Sequence, residues 1–190
     1  MSNQKQKDIM DASLALFSER GYDGTTIPMI AEKAQVGAGT IYRYFENKEQ
    51  LVNELFQSCL ESFLNKIKEN FPYSSTDLRE QFHHIFQKMI ELTKQDVYLV
   101  TFIESHCTGH YLTDQSREMF RSFLNFLSQF LDKGREQGII VDHFPTQGLI
   151  AIVYGAYSQL NKLIQYGVLQ WTEELLDGIE ECCWNAIRIN

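Results

Sequence analysis

Side chains able to do chemistry are few and scattered in this 190-residue chain. Glu104, His106, Cys107 and His110 lie close together, and the two histidines stand four apart, the spacing that puts two ligands on one helix face. Two histidines fall short of a ligand set, and Thr108-Gly109 threatens the helix between them, so no metal is expected. His83 and His84 are adjacent, diverge on a helix and cannot chelate together. Cys59, Cys107, Cys182 and Cys183 have no framework spacing and read as free thiols packed as small hydrophobes, with redox sensing as the lesser alternative. The chain carries no Ser/His/Asp set with a supporting motif, no phosphate-cradling loop and no Cys-x-x-Cys pair. It is therefore not expected to be an enzyme, and no cofactor is expected.

A second group has a different chemistry. Ala38, Gly39, Thr40 and Arg43 are small, hydroxylic or cationic. Small residues admit close approach, a hydroxyl hydrogen-bonds, and a guanidinium pairs bidentately with guanine. To act together they must ride on two short helices joined by a tight turn, with the second helix open to a major groove.

The elements needed to hold them are readable from periodicity. Ile9, Ala12, Leu16 and Phe17 share one face of a helix that stops at Gly21. Thr26 can cap a short helix over about Ile27 to Ala34, with Pro28 in its first turn and Ile27, Ile30, Ala31 and Ala34 facing inward. Gln35-Val36-Gly37 breaks it, and a second short helix follows over about Ala38 to Phe45, with Ile41 and Phe45 inward. Asn47 and Gln50 cap a long helix with a broad apolar stripe that Phe71-Pro72 closes. Further helices are expected behind Ser74 to Asp77, over Asp96 to about His110, from Thr113 to Gly138, from Pro145 to Gly167 and from Thr172 to Ile189. Only three prolines interrupt 190 residues of which 44% are hydrophobic, which favours long helices over strands. The expected fold is all-α: about nine helices, an N-terminal three-helix, homeodomain-like helix-turn-helix domain over 1–50, and a larger helical domain over 51–190.

Charge is split unevenly. The net charge is −8, yet residues 1–50 hold six Lys/Arg against seven Asp/Glu and are nearly neutral; the remainder carries the acidic excess. Phosphate binding must then rest on local geometry and few cations. The polar opening, residues 1–8, does not read as a secretory leader, and no run of 18 apolar residues exists to span a membrane, so a cytoplasmic protein is expected.

The ordered run Gly21-Tyr22-Asp23-Gly24-Thr25-Thr26-Ile27, then Ile30-Ala31, then Val36-Gly37-Ala38-Gly39-Thr40-Ile41-Tyr42-Arg43-Tyr44-Phe45-Glu46-Asn47-Lys48-Glu49-Gln50-Leu51 resembles the tetracycline-repressor (TetR) family. The match covers about the first 55 residues; beyond Leu55 it is architectural. The resemblance implies a DNA-binding transcriptional regulator, a repressor released from a palindromic operator by a small molecule. It implies that Tyr42 and Tyr44 bond phosphates, that Lys48 clamps the backbone beside a helix N-terminus, and that Thr26 and Thr40 add neutral bonds. Arg43 is the base reader. Three departures stand out: Gln35 replaces a usual turn glycine where positive φ is needed, Gly37 replaces a Ser cap, and Ala38 replaces a Lys or Arg. The interface is thus less cationic than is usual for the family.

The resemblance also implies a ligand cavity in the aromatic-rich remainder and a homodimer. Phe102, Glu104, His106, Phe123, Tyr154 and Tyr157 are the effector-site candidates, with Gln159 and Asn161 as further polar groups in apolar helices. A hydrophobic or amphipathic effector is expected, and Glu104 would favour a cationic one. Ile152, Val153, Ala156, Leu160 and Ile164 with Leu175, Ile179, Cys183 and Ile187 exceed what one helical hairpin needs inward and are expected to form a four-helix dimer interface. The competing reading is an adaptor of the same fold, or a DNA-binding protein without ligand-controlled transcription. Operator, effector and regulated genes are not written in the sequence, nor is repression against activation.

Overall fold

The computed structural model describes residues 2–189. Among these it contains nine helices: α1 (Ser2–Arg20), α2 (Ile27–Lys33), α3 (Ala38–Ile41), α4 (Lys48–Lys68), α5 (Leu78–Gln95), α6 (Val97–His106), α7 (Asp114–Glu136), α8 (Thr146–Gln165) and α9 (Glu173–Ile187). The single β-type pairing among the described residues is an isolated bridge between Ile140 and Arg188. Among the described residues no helix is long and apolar enough to cross a membrane.

Local chemistry accounts for the ends. Thr26, Asp96 and Thr172 cap α2, α6 and α9 through side-chain oxygens that accept the N–H three residues on. Gly21, Gly138 and Gly167 stop α1, α7 and α8 at positive φ. Three elements are shorter than the sequence implies. α3 ends at Ile41, not Phe45, because Tyr44 and Phe45 both donate to the Ile41 carbonyl and the chain winds into a turn. α4 ends at Lys68, before Asn70 takes φ 56. α6 ends at His106, four residues early, where Gly109 N–H turns back onto the His106 carbonyl.

Two compact units arise, and they do not divide at residue 50. The first holds the chain up to Lys66 together with Leu92–Arg121; the second holds Ile67–Glu91 and everything from Ser122 onward. The reason is that α6 packs on α1 within the first unit. Phe17 meets Phe102 and His106 there, and Phe56 meets Phe102 and Phe120.

His106 is 1% exposed at that seam. Its Nδ1 lies 3.0 Å from the Phe102 carbonyl, while its Nε2 is buried without a partner. Burial holds its pKa below the ordinary 6.5, against a smaller opposing pull from the Phe102 carbonyl. A proton therefore binds the unfolded chain better, so stability is complete above about pH 6.5 and falls as pH drops below it. Urea melts at pH 7.5 and 5.5 are expected to show this loss, and His106→Leu to flatten it; an unchanged slope in the variant would contradict the assignment.

In the second unit α9 packs on α8. Glu180, 2% exposed, accepts from Arg79, from His83 Nδ1 at 2.9 Å and from Gln87 at 3.1 Å on α5. Burial alone would raise its pKa; these donors outweigh it and hold the carboxyl below its usual value. The inward face of α9 carries Leu176, Glu180, Cys183, Trp184 and Ile187. This corrects three expected dimer-interface residues: Leu160, Cys183 and Ile187 are buried in the chain's own core and offer no outer surface. The other six, Ile152, Val153, Ala156 and Ile164 on α8 and Leu175 and Ile179 on α9, are half-buried or exposed, and Ala151, Cys182 and Ala186 are exposed beside them.

Candidate nucleic-acid interface

The reading head is built by burying one side of two short helices. Ile27, Ile30 and Ala31 of α2 are buried, as are Ile41 and Phe45 at 0% and 1% exposure; Val36 is half-buried at the turn. The opposite side is left for contact. Thr26, Ala38, Gly39 and Arg43 are exposed, Tyr42 is 56% exposed, and Thr40 and Tyr44 are half-buried. Tyr42 is a large aromatic with most of its ring outside the core, which a packing role does not explain. Thr26 uses its oxygen as acceptor for Met29 N–H at 3.4 Å, so its hydroxyl proton stays available for a phosphate.

The turn between the helices runs through Gln35 at φ 54. A side chain in this left-handed region costs about 1 kcal/mol relative to glycine. Gln35→Gly is accordingly expected to raise stability by about that amount in a denaturant titration; a loss of stability would contradict it.

Lys48, half-buried, is held from within the chain. Its ammonium donates to the carbonyls of Tyr22 at 2.8 Å and Thr25 at 3.0 Å, and lies 4.0 Å from the centroid of the Tyr22 ring. Two of its three donors are thus committed within the protein. The Tyr22 ring in turn stacks on Tyr111 at 3.9 Å, and His110 meets it edge-on. Burial, then Glu49 and Asp23, raise the Tyr22 pKa; burial, then Asp23, push that of Tyr111 up to about 12, so both phenols stay neutral. Lys48, Tyr22 and Tyr111 brace the start of α4, the α1–α2 loop and the α6–α7 loop together. The loop itself tolerates no side chain at residue 24, where a Cβ would stand 2.4 Å from the Arg20 carbonyl oxygen.

A second tie lies one turn along α4. Asn53, buried, donates to the Glu49 and Tyr111 carbonyls and accepts from Thr113 N–H and the Ser116 hydroxyl. Gln57 adds a bond to Ser116. Tyr22, Tyr111, Asn53 and Ser116 were not singled out by sequence reasoning. Tyr22 stands within the motif Gly21-Tyr22-Asp23-Gly24; the others carry no local signal, since their partners are about 60 residues away.

The expected effector residues separate. Phe102, Glu104 and His106 lie in the first unit, where Phe102 and His106 are core; Phe123, Tyr154 and Tyr157 lie in the second. The second unit contains an apolar cavity of about 40 Å³ among Phe82, Met89, Leu127, Leu149, Val153 and Tyr154. Of the six expected residues only Tyr154 lines it. Tyr157 is buried with its hydroxyl donating to the Met89 carbonyl, and Phe123 is buried elsewhere in the unit. Among the described residues no three His, Cys, Asp or Glu side chains converge as a metal would require. His106 and His110 do not share a helix face, because α6 ends between them.

Comparison with known proteins matches residues 9–55 to the family described as bacterial regulatory proteins, tetR family, and residues 56–189 to the tetracyclin repressor-like C-terminal domain. The fatty acid metabolism regulator protein of Bacillus subtilis is 27% identical over 157 residues, covering 82% of this chain and 80% of that one. A tetR-family transcription regulator from Shewanella sp. PV-4 superposes with a TM-score of 0.81 at 21% identity, over 98% of this chain and 99% of that one. The Bacillus subtilis regulator FadR, solved in complex with stearoyl-CoA, gives 0.73 at 22% identity, over 93% and 96%.

Proposed function

Because this chain belongs to the tetR family of bacterial regulatory proteins, DNA-binding regulators of transcription, we propose that it is a dimeric repressor released from a palindromic operator by an amphipathic effector. The observation that carries the DNA reading is the sidedness of the head: Ile27, Ile30, Ile41 and Phe45 are buried while Tyr42 and Arg43 stand outside. Arg43 reads a base edge; Tyr42, Tyr44, Thr26 and Thr40 bond the backbone; Ala38 and Gly39 let the groove wall approach. Lys48 holds the head's shape and has one N–H left for a phosphate.

The outer stripe of α8 and α9 supplies the dimer contact, and a two-fold axis sets two heads about one DNA turn apart. The apolar cavity of the second unit is the effector site. At about 40 Å³ it is too small for such an effector and must widen on binding, which gives the effector a state to select. α4 and α7 each begin in the first unit and end in the second. Within the first unit, the Asn53 and Lys48 bonds tie the start of α4 to its neighbouring loops. The stearoyl-CoA bound by FadR supports an effector built on an alkyl chain.

The functional boundary proposed is a DNA-reading region over 1–50 and a sensing and dimerising remainder. The cytoplasm, where the operator is, is its proposed location. Retardation of operator DNA over a salt series tests the interface. With Lys48 committed internally and residues 1–50 near neutral, about two or three cations are taken to meet phosphates in each head. A log–log slope of about −4 to −5 is expected for the dimer. A slope near −10 would contradict this interface.

A further inference from the structure

Asn161 on α8 is 2% exposed, and both its amide nitrogen and its amide oxygen are buried with no hydrogen-bond partner. A buried carboxamide with donors and acceptor all unfilled is rare in folded proteins and calls for a partner. The helical period places Asn161 within about 20° of Tyr154 around α8 and about 10 Å further along it. It thus shares a face of the helix with Tyr154, which lines the apolar cavity of the second unit. Between them stands Tyr157, fully buried, its hydroxyl on the Met89 carbonyl and its ring 6.1 Å from Tyr154.

We propose that Asn161 is the polar anchor of the effector site: it hydrogen-bonds an uncharged carbonyl, ester or amide group carried on an apolar chain that occupies the cavity. This rests on the cavity being the effector site. The chemistry is set by what lines the row. The cavity wall is made of hydrocarbon and aromatic side chains, with no charged residue among them to balance an ionised head group. An amide that offers two N–H donors and one carbonyl acceptor matches a neutral group, whereas a buried carboxylate or ammonium would lack a counter-charge. A chain filling the cavity displaces the Tyr157 end of the row and brings its polar group to the amide. The apolar part contributes affinity and the Asn161 bonds select the head.

The experiment is a thermal-shift and binding titration of the full chain with decane, decanoate, methyl decanoate and decanamide. Wild type is expected to bind decanamide and methyl decanoate more tightly than decane or decanoate. Asn161→Leu should weaken decanamide about 10-fold, to the level of decane, and should melt no lower than wild type, since it removes an unsatisfied polar group. Should Asn161→Leu fail to fold, Asn161→Ala gives the same comparison without added volume. A variant that melts several degrees lower and keeps the head-group preference overturns the proposal and marks Asn161 as a water-bonded structural amide. Wild type binding all four probes alike, or preferring decanoate, overturns it while leaving the cavity reading intact. Wild type binding none overturns both.

Discussion

Arg43→Ala is expected to lower operator affinity by about 10- to 100-fold per half-site, the equivalent of roughly 1–3 kcal/mol for one bidentate base contact. The melting temperature should stay unchanged, because Arg43 is exposed and gives the fold no ion pair that the geometry records. Two features separate this effect from loss of a phosphate contact. Base preference should relax at one position in each half-site, and the salt slope should fall by no more than about one per head. Tyr42→Phe supplies the contrast. It removes one hydroxyl from a ring that is 56% exposed and should weaken all sequences alike, by less than Arg43→Ala. If Arg43→Ala weakened every duplex equally, Arg43 would be a backbone contact and the assignment of the base reader would be wrong.

Asn53→Leu is expected to destabilise the protein by about 2–4 kcal/mol, a drop in melting temperature on the order of 5–15 °C for a chain of this size. The magnitude follows from what is left behind. Asn53 donates to Glu49 O and Tyr111 O, each at 2.8 Å, and accepts from Thr113 N–H at 2.8 Å and from Ser116 at 2.7 Å. Leucine fills the volume and strands those groups in the interior. Asn53→Asp divides the effect: it keeps the two acceptor bonds and loses both donations, placing a carboxylate against two carbonyl oxygens. It should be nearly as damaging. A melt of Asn53→Asp equal to wild type would show that the acceptor bonds alone matter. The loss also bears on function, because Asn53 ties α4 to the α6–α7 loop within the unit that holds the reading head.

The parts that were legible in the sequence are those set by neighbours. The caps at Thr26, Asn47 and Thr172, the stops at Gly21 and Gly138, and the positive φ at Gln35 all follow from residues within one turn. So does the sidedness of α2 and α3, since Ile27, Ile30, Ile41 and Phe45 recur with the helical period. The ties that join distant segments were not legible. Lys48 meets Tyr22 across 26 residues, Asn53 meets Tyr111 across 58, and Arg79 meets Glu180 across 101. Lys48 keeps its place in the motif, while two of its ammonium bonds go to carbonyls of its own chain that the motif does not name. The inward burial of Cys183 and Ile187 is not legible for a related reason. α9 is apolar on both sides, and periodicity cannot tell which apolar face, Cys183 with Ile187 or Cys182 with Ala186, meets the chain's own core. The effector candidates are aromatic or polar groups in apolar helices, and residue type does not distinguish a core ring such as Phe102 from a cavity-lining one such as Tyr154.

The outer side of α2 and α3 is proposed to lie in a DNA groove in a two-fold assembly. Duplexes selected from a random-sequence library by the purified full chain, once sequenced, check this. An enriched palindrome with half-site centres about 10 base pairs, or a multiple, apart is expected, with loss of one base preference per half-site when Arg43→Ala is used. Retained duplexes with no common sequence, or with a single asymmetric site untouched by Arg43→Ala, would contradict it.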